Sequence, residues 1–403
     1  MTSTGTSAVE AGGAPHGDEP VGRAARGHGV EVRELSLVEA VPLRAAWNDL
    51  VARAVEPDVM HGPDFLIPAL ETFAPDARLL VAHRGEGAAR RLVAVMALWT
   101  PRLGFGLTGR LPSVFANEYA PLGTPLVDAD RSEEILLALL AAIARRDGGV
   151  VFPDLPLDGP FAAVLGRVAE TAGHEVMVVE NHVRACLRGG GDGEAFFHDH
   201  IRRKRRKEWR RQWRRLAETG PVRTSIARGA EARDAFADFL VLEASGWKGR
   251  RRTALVQNAD VVRFAERVVD GLADSGRIVV DRIDRGGQPL AMLVCFGAEG
   301  HWVSWKTAYD EAFAAYSPGA QVLLRATTRF LDEGELVEVD SLAVEDHPLM
   351  NHMWPDRRRI GTVVVGFPAP LRLPLRLRLQ AAELGAYLAA RRIARRLRRR
   401  FAG

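Results

Sequence analysis

The sequence predicts an α/β (α+β) fold in two halves of similar order, each a mixed sheet flanked by helices. Three observations carry this. Short apolar or alternating runs interleave with helical-period segments along 403 residues. The run Gly189-Gly190-Gly191-Asp192-Gly193 divides the chain near its middle. The order of elements before that run returns after it, which points to an internal duplication. The length exceeds what one core usually organises, and 47% hydrophobic with 26% charged residues is an ordinary globular composition. No apolar run approaches the ~20 residues of a membrane-spanning helix.

Residues 1–29 are rich in small residues and hold no apolar core of a secretion signal, so they read as a disordered tail and the protein as cytoplasmic. The first half, 30–188, opens with a strand at 30–35. A helix at 41–55 follows, with Leu43, Trp47, Leu50 and Val51 on one face, then a second helix at 63–73. Runs 78–83 and 91–100 form a hairpin across Gly85-Glu86-Gly87. After an irregular stretch, Ser132 is the expected cap of a helix to Arg145, with Glu133 and Glu134 opposite Arg145 and Arg146 along its dipole. A strand at 149–155, a helix at 159–172 and a strand at 175–187 complete the half.

The second half, 194–366, begins with a basic helix at 195–218, then a strand at 222–227, a helix at 231–245 and a loop at 246–253. A helix at 259–273 leads to strands 277–284, 289–297 and 301–309. A loop at 310–318, a helix at 319–331 and a strand at 336–342 follow. Residues 367–403 are a separate basic amphipathic segment.

Charge is unevenly spread. Residues 201–215 hold ten Lys or Arg against one Glu, and residues 371–403 hold ten Arg against one Glu, while the whole chain carries only +4. Two cationic patches therefore sit on an acidic body, which excludes a protein that coats nucleic acid over its whole surface. Phe197, Ile201, Trp209, Trp213 and Leu216 share one stripe of the first patch, leaving a cationic face suited to nucleic acid, to CoA phosphates or to an anionic membrane. In the second patch Ala386, Ala390, Ile393, Leu397 and Phe401 recur at helical spacing among arginines, a surface-seeking pattern that gives peripheral contact at the inner face of a membrane. Cys186 and Cys295 supply neither a disulfide framework nor a zinc pair, and no metal is expected.

The best-furnished segment is 301–340. Ser317-Pro318-Gly319 opens a helix with amides that an anion can approach, and the loop before it carries Lys306, Tyr309, Asp310, Glu311 and Tyr316. Gly104-Phe105-Gly106-Leu107-Thr108-Gly109 matches a dinucleotide fingerprint in letters only, since Pro112 denies the helix that would receive a pyrophosphate. The loop 117–123 is expected to face an acceptor cleft between the halves.

Glu243-Ala244-Ser245-Gly246-Trp247-Lys248-Gly249-Arg250, then Trp305-Lys306-Thr307-Ala308-Tyr309-Asp310-Glu311, then Ser317-Pro318-Gly319 and Asp340 resemble the CelD-like (cellulose-biosynthesis-type) branch of the GNAT acyltransferase superfamily. The likeness spans about 194–342. The first half resembles a degenerate GNAT-like repeat of the kind found in Fem-type aminoacyltransferases. The resemblance implies tandem GNAT-like domains, acyl-CoA (acetyl-CoA or longer) as co-substrate, and its pyrophosphate on Ser317, Pro318, Gly319 and Ala320. Tyr316 departs from that pattern, standing where the common loop has Arg or Gln. For N-acyl transfer, Asp310 and Asp340 become the candidate bases, and Tyr309 and Tyr316 the candidate donors of a proton to the leaving thiolate. Trp247, Lys248 and Lys306 are the candidate contacts to substrate. Packing is the alternative role for the tyrosines and Trp247, and a solvent-facing position for Asp340. The leading reading is an acyl-CoA-dependent N-acyltransferase acting on an amine, such as an amino sugar or an envelope or polysaccharide precursor. The alternatives are a Fem-type transferase using aminoacyl-tRNA and a non-catalytic scaffold for polysaccharide or envelope assembly.

Overall fold

Alternation along the chain becomes strands wherever the apolar side chains face helices on one side. The computed structural model describes residues 25–27, 29–102, 104–368 and 373–400. Strands are β1 (Ala25–Gly27), β2 (Val30–Leu35), β3 (Arg78–Arg84), β4 (Arg91–Trp99), β5 (Ser113–Val114), β6 (Leu126–Val127), β7 (Gly149–Pro156) and β8 (Glu175–Arg188) in the first half. They continue with β9 (Val222–Arg228), β10 (Ile278–Arg285), β11 (Gln288–Ala298), β12 (His301–Tyr309), β13 (Glu338–Asp340) and β14 (Asp356–Gly366). Helices before the glycine run are α1 (Leu37–Ala40), α2 (Arg44–Arg53), α3 (Pro63–Phe73), α4 (Ser132–Ala144) and α5 (Pro160–Ala172). After it come α6 (Gly193–His200), α7 (Arg203–Glu218), α8 (Ala230–Ser245), α9 (Trp247–Arg250), α10 (Ala259–Asp274), α11 (Pro318–Asp332), α12 (Pro348–Met353) and α13 (Leu373–Arg400).

All the strands join one mixed sheet in the order β1-β2-β3-β4-β5-β7-β14-β8-β13-β12-β11-β10-β9, with β6 beside β4. The halves meet where β8 pairs antiparallel with β13, Cys186 opposite Asp340. β14, the last strand in sequence, crosses back and lies between β7 and β8. The strand that completes the first half's sheet is thus supplied from beyond residue 355, which the expected second-half range 194–366 did not foresee. A second connection between halves is helical, since Phe65 of α3 meets Phe264 of α10 edge to face at 5.5 Å.

The expected hairpin forms as β3 and β4. Other elements differ. The basic helix is two, because Ile201 and Arg202 take extended backbone between α6 and α7. Phe197, Ile201, Trp209 and Leu216 are nonetheless buried together against α11 and β11. Ser132 does not cap α4; the cap position is Arg131, with a left-handed φ of 62°, and no side chain closes it. The tail expected over 1–29 lies outside the described residues for 1–24 and 28, while Ala25–Gly27 pair with Val30–Val32. Phe401 also lies outside them. Both cysteines are buried in strands, where burial pushes their thiols far above the ordinary range. Among the described residues no helix is long and apolar enough to cross a membrane, and no group of three or more His, Cys, Asp or Glu is placed to hold a metal.

Candidate active site

β12 and β13 run parallel for only three residue pairs, from His301 beside Glu338 to Val303 beside Asp340. Beyond them β12 continues to Tyr309 while the chain leaves β13 at Ser341, so the sheet opens at this point. A cleft of about 710 Å³ lies at the seam of the two halves. Asn117, Glu118 and Tyr119 line it from the first half, Glu180 and His182 from β8, Val344–Asp346 from the loop after β13, and Tyr387, Leu388 and Arg391 from α13. The loop 117–123 faces this cleft as expected. Its shape is fixed locally, since Asn117 Oδ1 accepts from the Tyr119 and Ala120 amides and Gly123 packs where a Cβ would meet the Pro153 carbonyl oxygen at 2.2 Å.

Lys306 is the predicted residue best placed for chemistry. Its ammonium lies 5.2 Å from the ring centre of Tyr119, which lines the cleft, and 5.5 Å from that of Trp305. Trp305 in turn donates its indole N–H to the Tyr119 carbonyl at 2.9 Å, locking the two halves at this spot. No hydrogen-bond acceptor pairs with the Lys306 ammonium among the described residues. Burial lowers its pKa from the usual lysine value, while Glu243 pulls the other way.

The remaining predicted residues divide sharply. Asp340 does not face solvent. It is buried, its Oδ2 lies 2.6 Å from Arg184 and 3.5 Å from Arg358, and its Oδ1 accepts from the Leu342 amide. Burial alone would raise its pKa, but the two guanidiniums more than offset that and hold it below the usual carboxylate range. Such a carboxylate is a structural ion pair and a poor proton acceptor. Asp310 caps the turn 311–316, accepting from the Ala312 amide at 2.9 Å. Lys248 pairs with buried Glu243 at 2.7 Å and donates to the Thr307 carbonyl, so it ties α9 to β12. Trp247 is half-exposed beside it, with the Arg251 guanidinium over its ring at 5.5 Å. Tyr309, Phe313 and Tyr316 pack on the cluster that includes Ala320.

The expected anion cradle is closed. Ser317 is left-handed at φ 53°, its amide donates to the Ala314 carbonyl, and its own carbonyl accepts from the Ala320 and Gln321 amides. Pro318 has no N–H, which leaves the Gly319 amide as the turn's remaining donor. Pro318, Gly319 and Ala320 are buried, and a Cβ on Gly319 would stand 3.1 Å from the Tyr309 ring. As it stands, this turn does not fit a diphosphate.

Among the cleft residues that sequence reasoning missed, Asp154 and His182 bear most on chemistry. Asp154 lines it from within β7 with φ 46°, a conformation costly for a residue other than glycine and often found where a site is shaped. His182 lines it from β8, with Glu180 Oε1 3.6 Å from its Nδ1, and burial lowers its pKa so that the ring is neutral at pH 7. Neither stands in a recognisable motif; their neighbourhood is created by β14 and β8 crossing the seam.

A single mixed sheet flanked by helices, open between two parallel strands and bearing a cleft at the seam, defines a mixed α/β protein. Residues 203–347 match the family model described as an acetyltransferase (GNAT) domain, which locates that domain in the second half. The chain is similar in fold to FemX, at 12% identity and a TM-score of 0.54, over 82% of this chain and 97% of that one. It is also similar to the C-terminal domain of a putative lysylphosphatidylglycerol synthetase from Agrobacterium fabrum, at 12% identity and a TM-score of 0.50, over 85% of this chain and 95% of that one. No curated protein matches the chain.

Proposed function

We propose that this chain is an N-acyltransferase that holds an amine acceptor in the cleft between its halves and receives the acyl group there. The observation that carries the reading is Lys306, a half-buried ammonium beside the cleft wall with no acceptor partner among the described residues. Attack on an acyl carbon places negative charge on the carbonyl oxygen, and a cation in a low-dielectric site stabilises that charge more than it does in water. The acceptor amine must be neutral to attack. His182, neutral at pH 7, suits the proton acceptor better than Asp340, whose oxygens are committed to arginines. Glu118 and Asp154 on the cleft wall favour an acceptor that arrives as an ammonium ion.

An acyl-CoA is the donor that the CelD-like motifs imply, and an amino sugar or envelope precursor the acceptor. Binding its diphosphate at Ser317–Ala320 requires the Tyr309 ring to leave Gly319. Aminoacyl-tRNA is the second reading, favoured by the closed turn and by the exposed cations Arg203, Lys204, Arg205, Lys207 and Arg210 along α7. Thermal unfolding with acyl-CoA esters of increasing length, beside the same scans with tRNA at low and high salt, separates the two. A CoA shift that disappears in Gly319→Trp supports the first. A salt-sensitive tRNA shift that disappears when Arg203 and Arg205 become Gln supports the second. No shift with either donor overturns both.

A further inference from the structure

The last helix has two faces with different fates. Leu377, Ala381 and Leu384 are buried against Val151 and Val364, with Leu388 packed beside them. The fit is close, for a Cβ on Gly366 would sit 1.9 Å from Leu377 Cδ2. On the opposite side Leu375, Leu379, Ala382, Ala386, Ala390 and Ile393 recur at i, i+4, i+7, i+11, i+15 and i+18, and all are exposed, Leu375 by 64%. This outward stripe contains the Ala386, Ala390 and Ile393 expected from sequence.

The glycine-rich segment dismissed as a nucleotide motif has a place beside this stripe. Glu383 accepts from the Leu107 and Thr108 amides at 3.1 and 2.8 Å, Gln380 donates to the Thr108 carbonyl, and the Phe105 ring meets Tyr387 edge to face at 5.6 Å. The helix thereby holds up a loop whose Leu107 is 82% exposed and whose Phe105 is exposed beside it. Large exposed apolar side chains gathered from two distant segments are unusual on a soluble surface.

We propose that this face, the outer stripe of α13 with Phe105 and Leu107, docks onto an anionic lipid bilayer surface. Charge decides the occupant. The sequence of 371–403 supplies ten arginines against one Glu, and Arg376, Arg378 and Arg391 are exposed on α13. Arginines flanking an apolar stripe meet lipid phosphates while the apolar side chains enter the headgroup boundary. A second copy of the chain would instead set arginine against arginine across a stripe made largely of alanine. Docking also sets the cleft beside the headgroups, since Tyr387, Leu388 and Arg391 of the same helix line it. The proposal does not depend on the transferase reading, and binding is measured without turnover.

The test is co-sedimentation of the full chain with phosphatidylcholine vesicles, with and without phosphatidylglycerol. Binding is expected only to the anionic vesicles and weakens with salt. Placing Glu at both Leu379 and Ile393 is expected to weaken partitioning about a hundredfold, and Phe105→Ser with Leu107→Ser about tenfold. Replacing Lys204 and Arg205 of α7 by Gln leaves binding within about threefold. The Phe105→Trp variant reports independently by a blue shift of its emission on anionic vesicles. The proposal is overturned if the wild-type chain ignores anionic vesicles at low salt, if the Leu379/Ile393 variant binds like wild type, if the α7 change abolishes binding, or if the same stripe variants break a dimer that binds no vesicle.

Discussion

Two sets of buried charge lie along the seam and differ in one respect. At the β8–β13–β14 junction each buried ion is matched: Arg184 with Asp340, and Arg358 with Glu56, Glu338 and Asp340. Lys306, beside Tyr119 of the cleft wall, has two aromatic rings and, among the described residues, no counter-ion within hydrogen-bonding reach. Matched charges hold the halves in register, whereas an unmatched one keeps its field for a visitor. The difference teaches that burial of a charge does not by itself single out a candidate for chemistry, since most buried ions here serve the seam.

The comparison can be broken at several points. The largest effect is expected from Asp340→Asn, which leaves Arg184 without its buried partner and costs about 3–5 kcal/mol in denaturant unfolding. Turnover per folded molecule stays near wild type; a stable variant that has lost turnover would return Asp340 to the role of base. Lys306→Ala is expected to do the reverse, lowering kcat/KM about 10²- to 10³-fold while the melting temperature moves by only a few degrees. Equal activity would show that the ammonium stabilises no developing charge. His182→Gln is expected to lower kcat about a hundredfold and to remove the acidic limb of the pH–rate profile, a limb that falls below the ordinary histidine range because burial depresses this pKa.

The smallest effect concerns Asp58, a buried carboxyl near that junction and outside its ion pairs. Burial raises its carboxyl to about 7, its Oδ1 accepts from the Met60 amide, and its buried Oδ2 has no hydrogen-bond partner among the described residues. With the folded pKa above the unfolded one, the folded state retains the proton longer, so stability falls as pH rises from about 4 to about 7. Asp58→Asn is expected to flatten that decline and to add about 1–3 kcal/mol near pH 8. A profile as steep as that of the wild type would assign the slope to Glu56, which burial also raises to about 7 against the pull of Arg358.

Much of the fold was legible because its signals are local. The alternating runs of β3 and β4, the stripe Phe197, Ile201, Trp209 and Leu216, and the helices on either side of the glycine run follow from side-chain period alone. Lys306 was legible as a candidate contact to substrate within the Trp305–Glu311 motif. The rest depends on partners far away in sequence. Asp340 reads as half of an alternating strand, and nothing local announces that Arg184, 156 residues earlier, will meet it. The turn at Ser317 shows its glycine and proline, but not that Tyr309 will cover them. The cleft residues Asp154 and His182 come together only because β14 separates β7 from β8.

That returning strand binds the molecule's history as well as its shape. A ribosome that has released the first two hundred residues has not yet supplied the piece that joins β7 to β8, and must add more than one hundred and fifty further residues before it can. The glycine run near position 190 is therefore a hinge in sequence and no place to cut: a fragment ending there would expose three unpaired strand edges, one of β7 and both of β8, and invite aggregation.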